Sequence, residues 1–184
     1  QVPESESLAK RHEYIRMLDK LTNEQSLFLG ATGYCGRELY QLIEGPNKFY
    51  MMGSMGCLAS IGLALAKEHP EKRIYALDGD GALLMKMGTM STVGYHSPDN
   101  FVHICFDNQE YESTGGQPTT SLSTDFTGVA RACGYQSANA VNGLLEFQKV
   151  ILSIQGQSGP HFISVRISSG TLENLPRPSQ GAVA

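Results

Sequence analysis

Two apolar segments of this chain end in polar residues, and this arrangement is the strongest constraint on the fold. Residues 73–78 lead into Gly79-Asp80-Gly81, and residues 101–106 are followed shortly by Asn108. Both segments are typical of buried parallel strands. Parallel strands carry their carboxyl ends to one edge of a sheet, where open α/β folds bind ligands. We therefore expect the carboxylate of Asp80 and the amide of Asn108 to lie close together.

Strand-like and helix-like segments alternate along the rest of the chain, which predicts an α/β fold: a doubly wound, mostly parallel sheet flanked by helices. The predicted strands are 26–29, 49–52, 74–77, 101–106 and 161–165, and the predicted helices are 8–21, 37–43, 55–67, 82–94, 126–133 and 144–154. We expect an N-terminal helix or connector over residues 1–25, one ligand-binding domain over 26–168, and a loose tail over 169–184. The segment 108–123 is predicted to be a long loop, and a loop of that length in a small domain is typically functional.

Composition excludes several classes of partner. The chain has 184 residues and a net charge of −4, with no basic run. This charge argues against nucleic acid and anionic membranes as partners. No apolar stretch approaches the roughly 18 residues that a membrane-spanning helix needs, and no secretory signal is visible. The four cysteines show no metal or redox spacing, so we expect a cytoplasmic protein.

The residue types at the predicted edge suit a divalent cation. An Asp carboxylate, an Asn amide oxygen and a nearby backbone carbonyl are ligands that Mg²⁺ prefers. Gly81 and Ala82 open the following helix, whose free N–H groups favour a phosphate. A calcium-binding EF-hand loop is excluded, because Leu83 stands where that loop needs glycine and Thr89 where it needs a bidentate acid.

The pattern Gly79-Asp80-Gly81 followed by Asn108 resembles the signature of thiamine diphosphate-dependent enzymes. The resemblance implies that Mg²⁺ bridges the protein to the cofactor diphosphate. It implies Asp80 and Asn108 as side-chain ligands and the backbone carbonyl of Glu110 as the third. The family usually has two adjacent asparagines, and here the first of them is replaced by Asp107.

Two further segments extend the resemblance to the cofactor. Gly53-Ser54-Met55-Gly56 matches the family's segment beneath the cofactor, which implies that Met55 supports the bent cofactor. The carbonyl of Gly53 and the N–H of Met55 would then contact the aminopyrimidine ring. Thr32 and Gly33 stand in the loop that contacts the diphosphate in this family.

At the level of the substrate, residues 111–119 and 37–39 resemble the phosphonopyruvate decarboxylases, with the beta subunits of sulfopyruvate decarboxylases next. The resemblance implies decarboxylation of an anionic 2-oxo acid, with phosphonopyruvate giving phosphonoacetaldehyde and CO2. Hydroxyls and glycine N–H groups in the long loop are candidates for binding the anionic tail of the substrate. These candidates are Ser113, Thr114, Gly115, Gly116 and Gln117.

The resemblance covers only the diphosphate-binding half of such an enzyme. In this family a glutamate from a separate pyrimidine-binding domain activates the cofactor, and we identify no catalytic residue in this chain. We expect a homo- or hetero-oligomer in which a pyrimidine-binding domain or an alpha subunit completes the active site. The chain alone is expected to be inactive.

Three alternatives remain open from the sequence. One is a different thiamine enzyme, such as an acetolactate synthase-like carboligase, and another is a binding module without turnover. The third is a short-chain dehydrogenase-like protein that binds NAD(P), because residues 30–36 imitate a glycine-rich dinucleotide fingerprint. Against it, no tyrosine has a lysine four residues later, and the strand predicted over 49–52 does not end in an acid.

Overall fold

A computed structural model of the chain describes residues 8–178. The strands are β1 (Ser26–Gly30), β2 (Lys48–Tyr50), β3 (Arg73–Gly79), β4 (Phe101–Asp107), β5 (Glu110–Tyr111), β6 (Gln117–Pro118), β7 (Ser137–Val141) and β8 (His161–Arg166). The helices are α1 (Arg11–Leu21), α2 (Tyr34–Leu42), α3 (Leu58–Glu68), α4 (Asp80–Met85), α5 (Thr89–His96), α6 (Phe126–Ala132) and α7 (Leu144–Ile154). Within residues 8–178, no helix has the length and apolar character to cross a membrane.

Six strands form one parallel sheet in the order β2-β1-β3-β4-β8-β7. The order reverses direction at β1, because β2 lies on one side of it and β3 on the other. A crevice forms outside the carboxyl ends of the strands at such a reversal, and it is the usual ligand site of a doubly wound sheet. The predicted fold class is therefore confirmed, and the sheet is parallel throughout.

The core lies on both faces of the central strands. All seven residues of β4 are buried, and β3 is buried from Ile74 to Asp78. Such runs are typical of strands covered by helices on both sides. Full burial of each large apolar side chain contributes about 1.5–3 kcal/mol. Packing of this kind holds the ends of β3 and β4 in fixed positions.

The N-terminal helix α1 packs against the domain. It buries Tyr14, Ile15 and Leu18, and the ring of Tyr14 meets that of Phe147 in α7 edge to face, with centroids 5.3 Å apart. The helix begins at Arg11, three residues later than predicted. Residues 1–7 of the predicted connector lie outside the described residues.

Two secondary-structure predictions were wrong. The edge strand β7 was not predicted at all. The single helix predicted over 82–94 consists of two helices, α4 and α5, separated by a turn that contains Gly88. Glycine is a poor helix former, and the break turns α5 so that Met90 and Val93 are buried.

Two further segments differ from expectation. Residues 108–123, predicted as an irregular loop, contain the antiparallel hairpin of β5 and β6 and two short 3-10 turns. Helix α3 begins at Leu58 rather than at Met55, so Met55 lies in the turn before it.

Part of the predicted loose tail is bonded to the domain. The N–H of Gly170 donates to Glu112 Oε1 over 2.5 Å, and the N–H of Leu172 donates to Glu38 Oε1 over 3.3 Å. Residues 179–184 lie outside the described residues. The division into connector, domain and tail stays a prediction.

Candidate functional site

The segments that follow β1, β3 and β4 meet at the reversal point of the sheet. The loop after β1 carries Thr32 and Gly33, β3 leads directly into Asp80 at the start of α4, and β4 ends one residue before Asn108. Gly33 has φ +94°, a conformation that glycine adopts without strain, and it allows the chain to turn from β1 into α2. Residues distant in sequence are therefore brought to one edge.

Asp80 is a buried carboxylate without a cationic partner. Its side chain accepts a 2.6 Å hydrogen bond from the hydroxyl of Thr119, and it forms no ion pair within residues 8–178. Burial, with a smaller contribution from the nearby Asp107, raises the pKa of Asp80 to about 6, although the Thr119 bond acts in the opposite direction. Asp107 itself is paired with Arg166 over 3.2 Å. A cation beside Asp80 would offset the cost of burying this charge.

Asn108 and Glu110 are turned towards the same cleft by the residue between them. Gln109 has φ +66°, which is uncommon for a residue other than glycine. Two hydrogen bonds hold its backbone there: its N–H donates to the side-chain atom Asp107 Oδ1 over 3.1 Å, and its carbonyl accepts from the N–H of Thr119 over 2.9 Å. The Oδ1 atom of Asn108 accepts from the N–H of Glu110 over 3.3 Å.

The amide of Asn108 is oriented by a charged network from α1. Asn108 Nδ2 donates to Glu112 Oε2 over 3.2 Å, and the same carboxylate accepts from Arg11 over 3.0 Å. Arg11 also donates to Glu38 over 2.8 Å, and Glu38 is fully buried. Burial alone would lower the pKa of Arg11, but the neighbouring acids, chiefly Glu38, raise it above its ordinary value. Arg11 therefore remains charged and anchors Glu112.

The cleft that contains Asp80, Asn108 and Glu110 is named the carboxylate cleft. Its donor set fits Mg²⁺, which takes a few protein oxygens and otherwise keeps water or phosphate ligands. Residues 8–178 contain no cluster of three or more His, Cys, Asp or Glu side chains that suits a metal. This is consistent with the predicted site, because only one of its three ligands is a side-chain carboxylate.

The glycines around Asp80 have different surroundings. A Cβ atom on Gly81 would lie 2.4 Å from Tyr111 Cε1, so the glycine allows the ring of Tyr111 to pack against α4. A Cβ atom on Gly79 would meet nothing within 4 Å. Both glycines and Ala82 line the carboxylate cleft. The space beside Gly79 is thus open to a ligand.

A second cleft of about 290 Å³ adjoins the first and is named the arginine cleft. It is lined by Arg37 and Arg177 together with Gly33 and Thr114, among others. Thr32, Met55 and Ser113 line both clefts. Met55 therefore stands where the two clefts meet.

Most of the predicted site residues lie along these two clefts, but four do not. Gly53 lies in the exposed turn between Met52 and Met55, and it does not line either cleft. Gly115, Gly116 and Gln117 belong to the exposed turn and second strand of the β5–β6 hairpin and also lie outside both clefts.

Sequence reasoning missed four residues at the site: Arg11, Arg37, Glu112 and Thr119. Thr119 and Glu112 belong to the segment 111–119 used for the resemblance, but neither was assigned to the site, and Arg11 was one position in an amphipathic helix. The contacts of Thr119 with Asp80 and of Arg11 with Glu38 and Glu112 join residues distant in sequence, so no local pattern could have indicated them. Arg37 stood in the segment 37–39 used for the resemblance, but its charge was not given a role.

Comparison with known proteins agrees with this geometry. The family model described as "Thiamine pyrophosphate enzyme, C-terminal TPP binding domain" matches residues 31–165. This span runs from the loop after β1 to β8. It includes every residue that lines the two clefts except Arg11, Arg177 and Pro178. The match favours a thiamine enzyme over the dinucleotide-binding alternative for the glycine-rich loop.

Curated relatives include two kinds of decarboxylase. A phosphonopyruvate decarboxylase of Streptomyces viridochromogenes is 38% identical over 163 residues, covering 89% of this chain and 41% of that protein. The sulfopyruvate decarboxylase subunit beta of Methanocaldococcus jannaschii is 37% identical over 141 residues, covering 76% of this chain and 74% of the subunit. The chain thus spans about two fifths of the phosphonopyruvate decarboxylase and about three quarters of the separate beta subunit.

Among solved structures, benzoylformate decarboxylase from Polynucleobacter necessarius superposes with a TM-score of 0.73 at 15% identity, covering 89% of this chain and 34% of that one. A thiamin diphosphate-dependent enzyme from Mycobacterium smegmatis superposes with a TM-score of 0.75 at 15% identity, covering 88% of this chain and 32% of that one. At these identities the likeness shows the fold. With the family match, the relatives and the fold in agreement, this chain belongs to the C-terminal TPP-binding domains of thiamine pyrophosphate enzymes.

Proposed function

We propose that this chain is the diphosphate- and Mg²⁺-binding half of a thiamine diphosphate-dependent decarboxylase that acts on an anionic 2-oxo acid. The observation that carries the proposal is the buried Asp80, which lacks a cationic partner within residues 8–178 and shares a cleft with Asn108 and Glu110. Thiamine diphosphate, when bound, supplies an electron sink for the loss of CO2 from a 2-oxo acid. The chain contributes binding and orientation.

Each residue has a distinct role in the proposal. Asp80 and Asn108 would hold Mg²⁺ with side-chain oxygens and Glu110 with its backbone carbonyl. Thr32 and Gly33 would contact the diphosphate, as would the backbone around Gly79, Gly81 and Ala82. Met55 would support the cofactor rings where the two clefts meet.

The substrate that the relatives favour is phosphonopyruvate, giving phosphonoacetaldehyde and CO2. Sulfopyruvate is the second candidate, since the chain covers 74% and 85% of two sulfopyruvate decarboxylase beta subunits. Both acids carry a tetrahedral anionic group on the methylene carbon adjacent to the ketone. The name of those subunits also supports a partner subunit, and we propose that a pyrimidine-binding domain supplies the group that activates the cofactor.

Cofactor binding is tested by thermal denaturation of the chain with thiamine diphosphate alone, Mg²⁺ alone, both together, or both with excess EDTA. At a ligand concentration about 100 times Kd, binding adds about 2.7 kcal/mol to the free energy of unfolding. In a chain of this size, that corresponds to a Tm rise on the order of 5–10 °C. The rise is expected only when both ligands are present, and NAD(P) is expected to give none.

The variant Asp80→Asn removes the negative charge that is proposed to bind Mg²⁺ while keeping the shape of the side chain. It should lose the Mg²⁺-dependent rise in Tm. Without ligand it should be at least as stable as the wild type at pH 7.5, because the raised pKa of Asp80 means that its buried charge costs free energy. Asp99→Asn, at an exposed position near the opposite edge of the sheet, is the matched control. Normal stabilisation of Asp80→Asn by both ligands would contradict the metal assignment.

Activity is tested by mixing the chain with a pyrimidine-binding partner and following loss of the 2-oxo acid. The chain alone should be inactive, and the pair should decarboxylate phosphonopyruvate or sulfopyruvate faster than pyruvate. Rapid decarboxylation by the isolated chain would refute the requirement for a partner. A pair that prefers to join two pyruvate molecules would instead indicate a carboligase.

A further inference from the structure

The arginine cleft carries positive charge that the cofactor contacts proposed above do not use. Arg37 and Arg177 both line it, and the hydroxyl-bearing side chains of Ser113 and Thr114 line it as well. Its volume of about 290 Å³ is at the lower limit of the range typical of small-molecule sites. The cleft thus combines two guanidinium groups with hydroxyl groups in a space suited to a small ligand.

Arg37 is held in place without being neutralised. It lies in the first turn of α2 and is half-buried, and its guanidinium carbon stands 5.7 Å from the centre of the Tyr34 ring. Such a cation–π contact orients the side chain and leaves its N–H donors free. Within residues 8–178 the guanidinium group of Arg37 forms no ion pair. Its charge is therefore available to a ligand.

The two clefts differ in charge and share a boundary. The charged residues of the carboxylate cleft are three acids and Arg11, which is paired with Glu38 and Glu112, whereas those of the arginine cleft are all basic. Thr32, Met55 and Ser113 line both. A cofactor whose rings rest on Met55 would lie at the boundary between the two clefts, so the arginine cleft would adjoin its rings. That position suits the tail of a substrate that reacts at the rings.

We propose that Arg37, together with Ser113 and Thr114, binds the tetrahedral oxyanion carried by the 2-oxo acid. A guanidinium group matches a phosphonate or sulfonate with two parallel N–H···O bonds. The hydroxyl of Ser113 donates to one of its remaining oxygens, and Arg177 adds a second positive charge at the exposed rim. The hydroxyl of Thr114 donates to the carbonyl of Tyr111 over 3.3 Å and turns from it to donate to the oxyanion. The inference rests on the proposed function, since it assigns the specificity of the same site.

The test uses the chain together with its pyrimidine-binding partner, loaded with thiamine diphosphate and Mg²⁺. Values of kcat/KM are measured for phosphonopyruvate, sulfopyruvate and pyruvate, which lacks the anionic tail. In Arg37→Gln, the ratio of kcat/KM for the preferred tailed substrate to that for pyruvate should fall 10- to 100-fold. In the wild-type pair, the acid with the larger ratio of kcat/KM to that of pyruvate shows whether the site prefers a phosphonate or a sulfonate. Arg16→Gln, an exposed arginine on α1, is the matched control.

Inhibition by an unreactive analogue complements the substrate kinetics. The unreactive acid 3-phosphonopropionate should inhibit the wild-type pair competitively, and its inhibition constant should rise at least 10-fold in Arg37→Gln. Arg37→Lys keeps the positive charge but loses the planar guanidinium group, so its inhibition constant should lie between that of the wild type and that of Arg37→Gln. This second variant also serves if Arg37→Gln fails to fold.

The outcomes separate the inference from the function on which it rests. If thiamine diphosphate and Mg²⁺ do not stabilise the wild-type chain, the proposed function is refuted. If they do, but the substrate ratio and the inhibition constant are unchanged in both Arg37 variants, only the role of Arg37 is refuted. Loss of cofactor stabilisation in Arg37→Gln, but not in Arg16→Gln, would also refute it, because Arg37 would then contact the diphosphate.

Discussion

The hydroxyl of Thr119 lies 2.6 Å from Asp80 Oδ2 and donates to it, across 39 positions of sequence. Both side chains are buried. The same hydroxyl lies 3.0 Å from that of Ser121, within the 3-10 turn that follows the β5–β6 hairpin. The hairpin segment thus reaches back over the sheet edge and fixes the one carboxylate that the metal assignment requires.

Thr119→Val should weaken Mg²⁺-dependent binding of thiamine diphosphate. The change keeps the shape of the side chain but removes the hydrogen bond that orients Asp80 and lowers its pKa. Loss of partners that orient metal ligands typically costs 10- to 100-fold in affinity, and the lost bond to a charged group costs about 1.5–3 kcal/mol of stability. Isothermal titration and urea denaturation measure these two effects. Thr120→Val, at the exposed neighbouring position, should change neither.

Gly79→Ala should weaken cofactor binding with little effect on stability, whereas Gly81→Ala should lower stability. At Gly79 the added methyl group meets nothing within 4 Å and the backbone is extended, so the free energy of unfolding should change by less than about 0.5 kcal/mol. The methyl group would nevertheless occupy the open space of the carboxylate cleft and weaken cofactor binding. Normal cofactor binding by Gly79→Ala would show that no ligand uses that space.

At Gly81 the methyl group would overlap the ring of Tyr111, 2.4 Å from its Cε1 atom. Alanine favours a helix over glycine by about 1 kcal/mol, but overpacking costs about 1–3 kcal/mol. We expect a net loss of stability without ligand, measured by urea denaturation. A Gly81→Ala chain more stable than the wild type would mean that Tyr111 moves away at little cost.

The sequence was sufficient to predict the fold class and five of the six strands of the parallel sheet. Apolar runs identified β3 and β4, and the places of Asp80 and Asn108 after these strands predicted that they lie close together; both line the carboxylate cleft. These signals are local, because each depends on one strand and the one or two residues after it. The parallel arrangement then follows from the alternation with helices.

The edge strand β7 had no such signal. Its sequence, Ser-Ala-Asn-Ala-Val, is small and partly polar, and only Ala138 and Val141 are buried. Small and polar residues have low strand propensity, so the strand depends on pairing with β8. The same reasoning applies to Thr119 and Arg11, whose roles depend on partners in other elements. Tertiary packing, which local pattern does not encode, determines these features.

Arg11→Met should destabilise the chain by about 3–5 kcal/mol, because it leaves the buried carboxylate of Glu38 and the partly buried one of Glu112 without their cation. Since Glu112 orients Asn108, Mg²⁺-dependent cofactor binding should weaken as well. Arg16→Met, exposed on the same helix, should change the free energy of unfolding by less than about 0.5 kcal/mol.

A double variant tests whether the uncompensated charge is the cause. Arg11→Met leaves the carboxylates of Glu38 and Glu112 without their cation. Adding Glu38→Gln removes one of these two unpaired charges, so the double variant should recover part of the lost stability. Urea denaturation of the four chains of this cycle gives the coupling between the two residues. If the double variant is as unstable as the sum of the two single changes, lost packing rather than lost charge explains the effect.

Stability should fall below pH 6.5 in part because of His161. Burial lowers the pKa of this imidazole below its ordinary value of 6.5. The neutral ring suits its surroundings, since Nδ1 lies 2.8 Å from the hydroxyl of Ser137 and Nε2 lies 3.4 Å from the carbonyl of Gln157. Because the unfolded chain binds a proton here more readily than the folded chain, the free energy of unfolding decreases as pH falls below 6.5.

His161→Asn should reduce this pH dependence. Its Oδ1 atom can accept from Ser137 as Nδ1 does, but the side chain does not titrate. Each proton taken up only by the unfolded chain contributes about 1.4 kcal/mol per pH unit. Urea denaturation at pH 7.5, 6.5 and 5.5 should therefore give a shallower loss for His161→Asn than for the wild type or for the exposed control His96→Gln. Parallel losses in all three chains would place the acid sensitivity in carboxylates rather than in this ring.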